Sequence, residues 1–574
     1  MIMKTKYIVG MLALTACMTS CDDLLDKEPL DAFSDSPTYW KNPENLQNQC
    51  NTFFNCYNGY GNGGGSGWFY YQFRSDDQVN SENLQWANTN VVASSSNWND
   101  PYIEARRAAY IIRGASESGL STAVANGYIA QARMNRAWNY FQLVRMYGDC
   151  VWVDDVMEVD DAGMVYAPRQ DRDVIMDKVL EDLNFACEYM TGTAKDRFNK
   201  DMAYAMKSQI CLWEGTFCKY RTAAENGKAA DPTRAEKFLK ECVSAGDYLL
   251  GRGYKLNDEY QTVYNSFDLG SDPEVIFYKP YAKNALCHGV PNYTMNTSGT
   301  YGISQDAFDS YLFLDGKPKA TTTLDNSTAV APDGSLSALL SVRDKRLSQT
   351  IDPELACTGH PYARTGISFA FTSYTGYGIA KYDNFNLAIT DRTNNTCYTD
   401  APIYWIPVIY LDYAEAKAEL GTLSDADLNN TINKLYKRAG LGEFTVAKLS
   451  AIADPANNMG VSSLIWEIRR CRRNELMCDN WFRYWDLIRW HQLELMDNVK
   501  HPAVTLGANI SKVTAWSKND KGEEIKPATN ADGNIAASYN QNRIFEARQY
   551  LYPIPTGQIS LYPDGELEQN PLWK

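Results

Sequence analysis

A mostly α-helical fold, made of tetratricopeptide-like helix pairs that form a scaffold with long loop and short-strand insertions, is predicted by three observations. Apolar residues recur at steps of three and four through residues 38–250, the period of a helix with one face inward. Over residues 255–404 the pattern changes to short alternating pieces rich in Gly, Asn, Thr, Ser and Tyr, punctuated by Asp315-Gly316 and Asp333-Gly334, which read as loop with short strands. Helical periodicity then returns over 405–574, where Gly- and Asn-rich loops follow the last helix. Residues 21–574 are read as one domain and residues 1–20 as a leader.

The elements follow in order. Ile129, Arg133, Ala137, Tyr140, Val144 and Tyr147 mark an amphipathic helix from Tyr128 to Tyr147, stopped by Gly148. Pro168-Arg169-Gln170-Asp171 opens a second, with Val174, Ile175, Val179, Leu183, Ala186 and Met190 as its stripe. A third spans Asp201 to Tyr220 and a fourth Thr233 to Leu250. After the insertion, helices are expected at Ile409 to Leu420, Asp425 to Arg438 and Val461 to Trp490. Long pairs with Ala at close contacts suggest tetratricopeptide-like stacking, whose repeat is about 34 residues.

The first residues read as a secretory leader. Lys4 and Lys6 precede an apolar run from Tyr7 to Ala16, which is too short to span a bilayer. Two cysteines fit the cleavage point: Cys17 after Leu14-Thr15-Ala16, and Cys21 after Met18-Thr19-Ser20 and before Asp22-Asp23. Cys21 is taken as the lipid anchor, with Cys17 as the alternative. The other twelve cysteines show no C-x-x-C pair and read as small buried hydrophobes.

A formal charge of −15 with no block of Lys or Arg excludes a phosphate-backbone partner, because that affinity needs clustered cations. The four histidines, His288, His360, His491 and His501, form no metal-ligand spacing. No nucleophile elbow, P-loop or dinucleotide fingerprint is present. No cofactor, metal or catalytic residue is therefore expected.

Seven segments, in order, resemble the SusD/RagB family of outer-membrane nutrient-binding lipoproteins. They are Cys21 to Pro29; Trp40-Lys-Asn-Pro-Glu-Asn45; Arg133 to Asp149; Asp272-Pro-Glu-Val-Ile-Phe277; Ile406 to Ala416; Arg472-Arg-Asn-Glu-Leu476 with Asp486-Leu-Ile-Arg-Trp490; and Tyr550-Leu-Tyr-Pro-Ile-Pro555 with Gln569-Asn-Pro571. The stretch from Glu475 to Asp486 is one residue longer than the family spacing. The resemblance thins at 57–97 and 280–400. It implies a SusD-like fold, a lipid anchor on the outer face of the outer membrane, no catalysis, and delivery of captured glycan to a SusC-like TonB-dependent β-barrel transporter.

Sugar recognition needs flat apolar faces for pyranose rings and planar polar groups for hydroxyls. Residues 57–90 supply both: a Gly-rich run from Gly61 to Gly67, then Trp68-Phe69-Tyr70-Tyr71, Arg74, Asp76-Asp77, Trp86 and Asn88. Trp68, Tyr71 and Trp86 are expected to stack on an oligosaccharide or polysaccharide, and Arg74, Asp77 and Asn88 to bond its hydroxyls. Tyr281, Tyr293 and Tyr301 of the insertion are expected to join them. The competing reading makes these aromatics core or loop anchors. Arg469, Arg470, Arg472, Arg473, Arg483 and Arg489, near Glu475, Asp479 and Asp486, read as an internal ion-pair network. Capture of peptides in the RagB manner, a surface glycoside hydrolase, and a purely structural partner protein are the alternatives.

Overall fold

The computed structural model describes residues 37–65, 67–70, 74–79, 86, 90–157, 160–295, 301–366, 370–538, 541–563 and 565–574. The leader, Cys17, Cys21, Tyr71 and Asn88 lie outside the described residues.

The architecture is mostly helical. Five long helices open it: α1 (Ser96–Glu117), α2 (Thr122–Tyr147), α3 (Arg172–Tyr189), α4 (Lys200–Tyr220) and α5 (Pro232–Leu250). Their ends follow local chemistry. Asp171, Asn199 and Asp231 each accept a hydrogen bond from the first turn of the following helix, and Pro232 fixes the start of α5. Gly148 stops α2 with φ 75°.

These helices pack in succession, α1 on α2, α2 on α3, α3 on α4 and α4 on α5, consistent with stacked helix pairs. Small residues set the approach. A Cβ on Gly215 of α4 would sit 2.7 Å from a Leu239 side-chain carbon on α5, so these two helices close to backbone contact only because glycine stands there.

Between the helical blocks, β2 (Val275–Lys279) pairs antiparallel with β4 (Ala401–Trp405), so the insertion leaves and returns at one two-stranded ribbon. A second short ribbon joins β1 (Gln78–Val79) to β3 (Gly302–Ile303). From β4 the chain passes directly into α6 (Ile406–Glu419), which packs on α5 and α4. Then come α7 (Ser463–Glu475) and α8 (Phe482–Arg489).

Three expectations change. First, α2 is not amphipathic: from Met134 to Tyr147 every residue is buried except Gln142 and Arg145. Neighbours surround it, and only one narrow strip remains open. Second, Val174 of the predicted stripe is exposed, while Ile175, Val179, Leu183 and Ala186, one residue round the helix, face the core. Third, the runs 425–438 and 461–490 are each broken. Thr431, with φ −133° and ψ −95°, interrupts the first. Residues 476–481 interrupt the second, where Cys478, Asn480 and Trp481 hold φ of 68°, 46° and 59°.

The arginines of α7 and α8 are buried and paired, but mostly with other elements rather than along their own helix. Arg472 bonds Asp412 at 2.6 Å and Asp486 at 2.8 Å; Arg473 bonds Asp77 and Asp306 at 2.7 Å each; Arg483 bonds Asp76 at 2.6 Å; and Arg489 grips Glu415. Glu475 is held by Arg346 and Arg438, and Asp479 by Lys381. All twelve cysteines among the described residues are free, and most are buried.

This network fixes a pH dependence. Burial raises Glu274 to about 8, Asp383 to about 7 and Asp77 to about 6, with Arg438, Arg364 and Arg473 pulling the other way. Their folded values lie above the ordinary carboxylate range, so the folded state retains protons that the unfolded chain has released. Their stabilising contribution is full below the unfolded values and is lost as pH rises through 6 to 8. Glu415 behaves oppositely: against burial, Arg489 holds it at about 2, a contribution lost only in strong acid. The thermal midpoint is expected to be highest between about pH 4 and 6 and to decline towards pH 8.5. Glu274→Gln should flatten that alkaline decline, and an unchanged slope would remove Glu274 as its source.

Candidate functional site

The open strip on α2 is the floor of a cleft of about 710 Å³, walled by residues 55–58, Trp68 and Arg74 on one side and residues 480–486 on the other. The N-terminal part of α1 forms its rim. Trp68, Trp481, Trp485 and Tyr552 are half-buried there, while Trp138, Phe141, Trp213 and Tyr404 lie deeper. Four half-covered rings around one hollow are more apolar face than a core needs to leave open.

Their positions are fixed by the backbone. Gly67, at φ 59°, turns the chain so that the Trp68 N–H donates to the Gly59 carbonyl at 2.8 Å; a Cβ on Gly67 would fall 1.9 Å from that oxygen. Opposite, the left-handed residues 478–481 are anchored from below. Lys381 donates to the Met477 carbonyl and to Asp479, each at 2.8 Å; the Tyr264 hydroxyl donates to Asp479 at 2.7 Å; and the Tyr382 hydroxyl donates to the Cys478 carbonyl at 2.7 Å. The Tyr70 N–H donates to the Cys478 carbonyl at 3.2 Å, which ties the two walls together. A bulky residue such as Trp481 at positive φ is an outlier that only such anchoring sustains.

Polar groups lie among the rings. The Arg145 guanidinium stacks 3.9 Å from the Trp485 centroid and 5.2 Å from Phe141, and its Nη2 donates to Gln142. The Arg74 guanidinium lies 5.3 Å from the Trp481 centroid. Among the described residues, Gln142 Nε2, Arg145 Nε and Trp213 Nε1 are buried donors with no acceptor, and Asn480 Oδ1 is a buried acceptor with no donor. Native interiors satisfy nearly all such groups, so each of these is placed to meet a partner from the cleft.

A second cleft, of about 570 Å³, opens beside Trp466. Its arginines, Arg469, Arg470, Arg473 and Arg483, each already hold a carboxylate. The acidic group Asp173, Glu214 and Cys218 is likewise occupied: Arg172, Arg221, Lys228 and Arg234 already neutralise its carboxylates.

The residues singled out from sequence therefore divide. Trp68 and Arg74 reach the cleft. Asp77 does not offer itself to solvent: it is fully buried and its carboxylate accepts from Arg473, because an aspartate in this interior needs a cation beside it. Trp86 docks elsewhere, its Nε1 donating to the Ile544 carbonyl at 2.8 Å and its ring edge-on to Phe545. Tyr281 is buried, with its hydroxyl donating to the Gly61 carbonyl at 2.7 Å. Tyr293 stacks on Tyr70 and donates to the Gly64 carbonyl, and Tyr301 meets Tyr70 edge-on. These tyrosines fasten the Gly-rich run to the insertion. Gln142, Arg145, Trp481 and Trp485 also line the cleft and were not singled out from the sequence. The one available signal was the unusual spacing between Glu475 and Asp486, a stretch in which Cys478, Asn480 and Trp481 hold positive φ.

Comparison with known proteins agrees with this architecture. Residues 257–573 match the model described as the SusD family, and residues 45–212 match one described as starch-binding associating with outer membrane. A curated relative, SusD-like protein P2 of Formosa agariphila, is 28% identical over 151 residues, a stretch that covers 24% of this chain and only 30% of that protein. Among solved structures, a SusD-like carbohydrate binding protein from Bacteroides fragilis aligns at a TM-score of 0.67 and 19% identity, over 92% of this chain and 100% of its own. Surface glycan-binding protein A from Bacteroides fluxus aligns at 0.58 and 15%, over 92% and 99%. A structure solved with a xylogluco-oligosaccharide aligns at 0.58 and 17%, over 90% and 97%. At these identities the structural likeness establishes the fold. The family match spans more than half of the chain, and the chain belongs to the SusD family.

Proposed function

We propose that the protein is a cell-surface glycan-binding lipoprotein that captures oligosaccharides and delivers them, without cleaving them, to a SusC-like TonB-dependent outer-membrane transporter. Anchorage is through lipid on Cys21. Among the described residues no helix is long and apolar enough to cross a membrane. The observation that carries the reading is the cleft between residues 55–58, Trp68 and Arg74 on one side and 480–486 on the other, lined by the half-buried Trp68, Trp481 and Trp485 beside buried donors that have no acceptor among the described residues. Ring faces cover the C–H faces of pyranoses, and donors between them bond hydroxyl and ring oxygens. Of the residues proposed from sequence, Trp68 and Arg74 remain binding residues, now joined by Trp481, Trp485, Arg145 and Gln142. The other cell-surface readings have no comparable support, since the cleft offers rings rather than an open strand edge for an extended peptide.

The test is retention of the full chain, in detergent, on a panel of polysaccharide gels, with Trp485→Ala alongside. Retention should fall about 10- to 100-fold in the variant, the loss of one aromatic contact face, and the eluted glycan should be unchanged in mass. Equal retention by the variant would displace the site from this cleft, and shortened glycan would overturn non-catalytic capture.

A further inference from the structure

We infer that the cleft selects an acidic glycan, with the carboxylate of a uronic-acid residue seated on the Arg145 guanidinium while neighbouring sugar rings lie on Trp485 and Trp481. The inference rests on the glycan-binding reading of the same cleft and adds the charge of its ligand.

Almost every other arginine in this interior is matched to an acid. The six of α7 and α8 all hold carboxylates. Arg145 is the exception that faces a cleft: among the described residues no carboxylate lies within ion-pairing distance of it, and its polar partner is the neutral Gln142. The titratable groups bearing on it are the phenols of Tyr552, Tyr404 and Tyr484. Burial pushes it down to about 9, which leaves it cationic at neutral pH. A desolvated cation without a counter-ion is costly unless something supplies the charge.

The surroundings favour an anion of a particular shape. Arg145 and Arg74 line the same cleft as Tyr552, and both lower the phenol that burial raises. A guanidinium presents a planar fork that matches a planar carboxylate, and stacking on Trp485 fixes its plane. The unmatched Gln142 Nε2 and Trp213 Nε1 are further donors. The acids of the cleft do not cancel this. Glu104 is taken by Arg107, Asp486 lies between Arg472 and Arg489, and Asp100 is an exposed residue of the rim. The overall charge of −15 does not prevent local capture either, because salt screens exposed charges beyond about 8 Å at physiological ionic strength.

The measurement is affinity of the full chain for a set of uronic-acid polysaccharides (polygalacturonate, alginate and glucuronoxylan), each paired with its carboxyl-reduced form, and for neutral xyloglucan and starch. At least one acidic member is expected to bind about tenfold or more tightly than its reduced partner, the worth of one charge-assisted pair, with added salt narrowing the gap. Arg145→Gln should bring the acidic form down to the level of the reduced one. Arg145→Lys, which keeps the charge but loses the fork, should retain part of the preference, and the thermal midpoints of both variants report folding. Equal binding of acidic and reduced forms, or binding of neutral glycans alone, would overturn the acid preference while leaving glycan capture standing. Binding of none would overturn both.

Discussion

Lys381→Met is expected to destabilise the protein by about 3–5 kcal/mol, the cost of leaving a buried carboxylate without its cation. Lys381 and Asp479 are both fully buried, and the ammonium lies 3.7 Å from the Tyr264 centroid. Methionine fills the same space but donates nothing, so Asp479 would keep only the Tyr264 and Tyr382 hydroxyls. The Met477 carbonyl would also lose its donor, just where the backbone turns left-handed. Urea unfolding measures the first effect, and glycan retention of the folded variant measures the second, because Trp481 would no longer be held. The double variant Lys381→Met with Asp479→Asn should recover part of the stability, since a neutral amide needs no counter-ion. A loss below about 1 kcal/mol in the single variant would mean that the loop is held by packing alone.

Arg489→Met should cost as much, about 3–5 kcal/mol, by a different route. Arg489 binds Glu415 through both terminal nitrogens, at 2.6 and 2.8 Å, bonds Asp486 at 2.8 Å and donates to Thr216 at 3.0 Å. Glu415 is fully buried, and its other donor is the Trp490 indole at 2.7 Å. Without Arg489, Glu415 must take up a proton, so the variant should gain stability on acidification over the range where the wild type is flat. Adding Glu415→Gln should remove that pH dependence and restore much of the loss, because replacing both members of a buried pair is far less costly than removing one. The same α4, α6 and α8 contacts should otherwise survive. A pH profile identical to that of the wild type would show that the Trp490 indole and the nearby Arg472 and Arg469 guanidinium groups already compensate Glu415.

What was legible in the sequence follows the range of the interactions involved. Helices α2 to α6 declare themselves mainly through local breaks and caps: Asp171, Asn199, Asp231 and Gly148 act within four residues of where they stand, although the periodic stripes read in α2 and α3 did not hold as drawn. The strand at Val275–Lys279 was legible through a motif, whereas its partner Ala401–Trp405 lies more than a hundred residues away and nothing in either segment names the other. The site was half legible. A Gly-rich window with two Trp and one Arg pointed to Trp68 and Arg74, but it also held Asp77 and Trp86, which bond the distant Arg473 and Ile544. Arg145 was hidden for the opposite reason. It sits in a helix whose neighbours on every side are buried, and only the tertiary arrangement leaves that strip uncovered. The break at 476–481 shows only as one surplus residue, because left-handed backbone at Cys478 and Trp481 opposes what those residue types prefer.

That last feature bears on how such a protein can change over time. Cys478 and Trp481 occupy backbone geometry in which glycine would be relaxed, each at a cost of about 1–2 kcal/mol, while Asn480 tolerates it more readily. Selection for robustness alone would drift towards glycine there and erase the indole from the cleft wall. The tryptophan at 481 thus lowers the folding equilibrium about 5- to 30-fold while holding a rigid ring at the cleft wall.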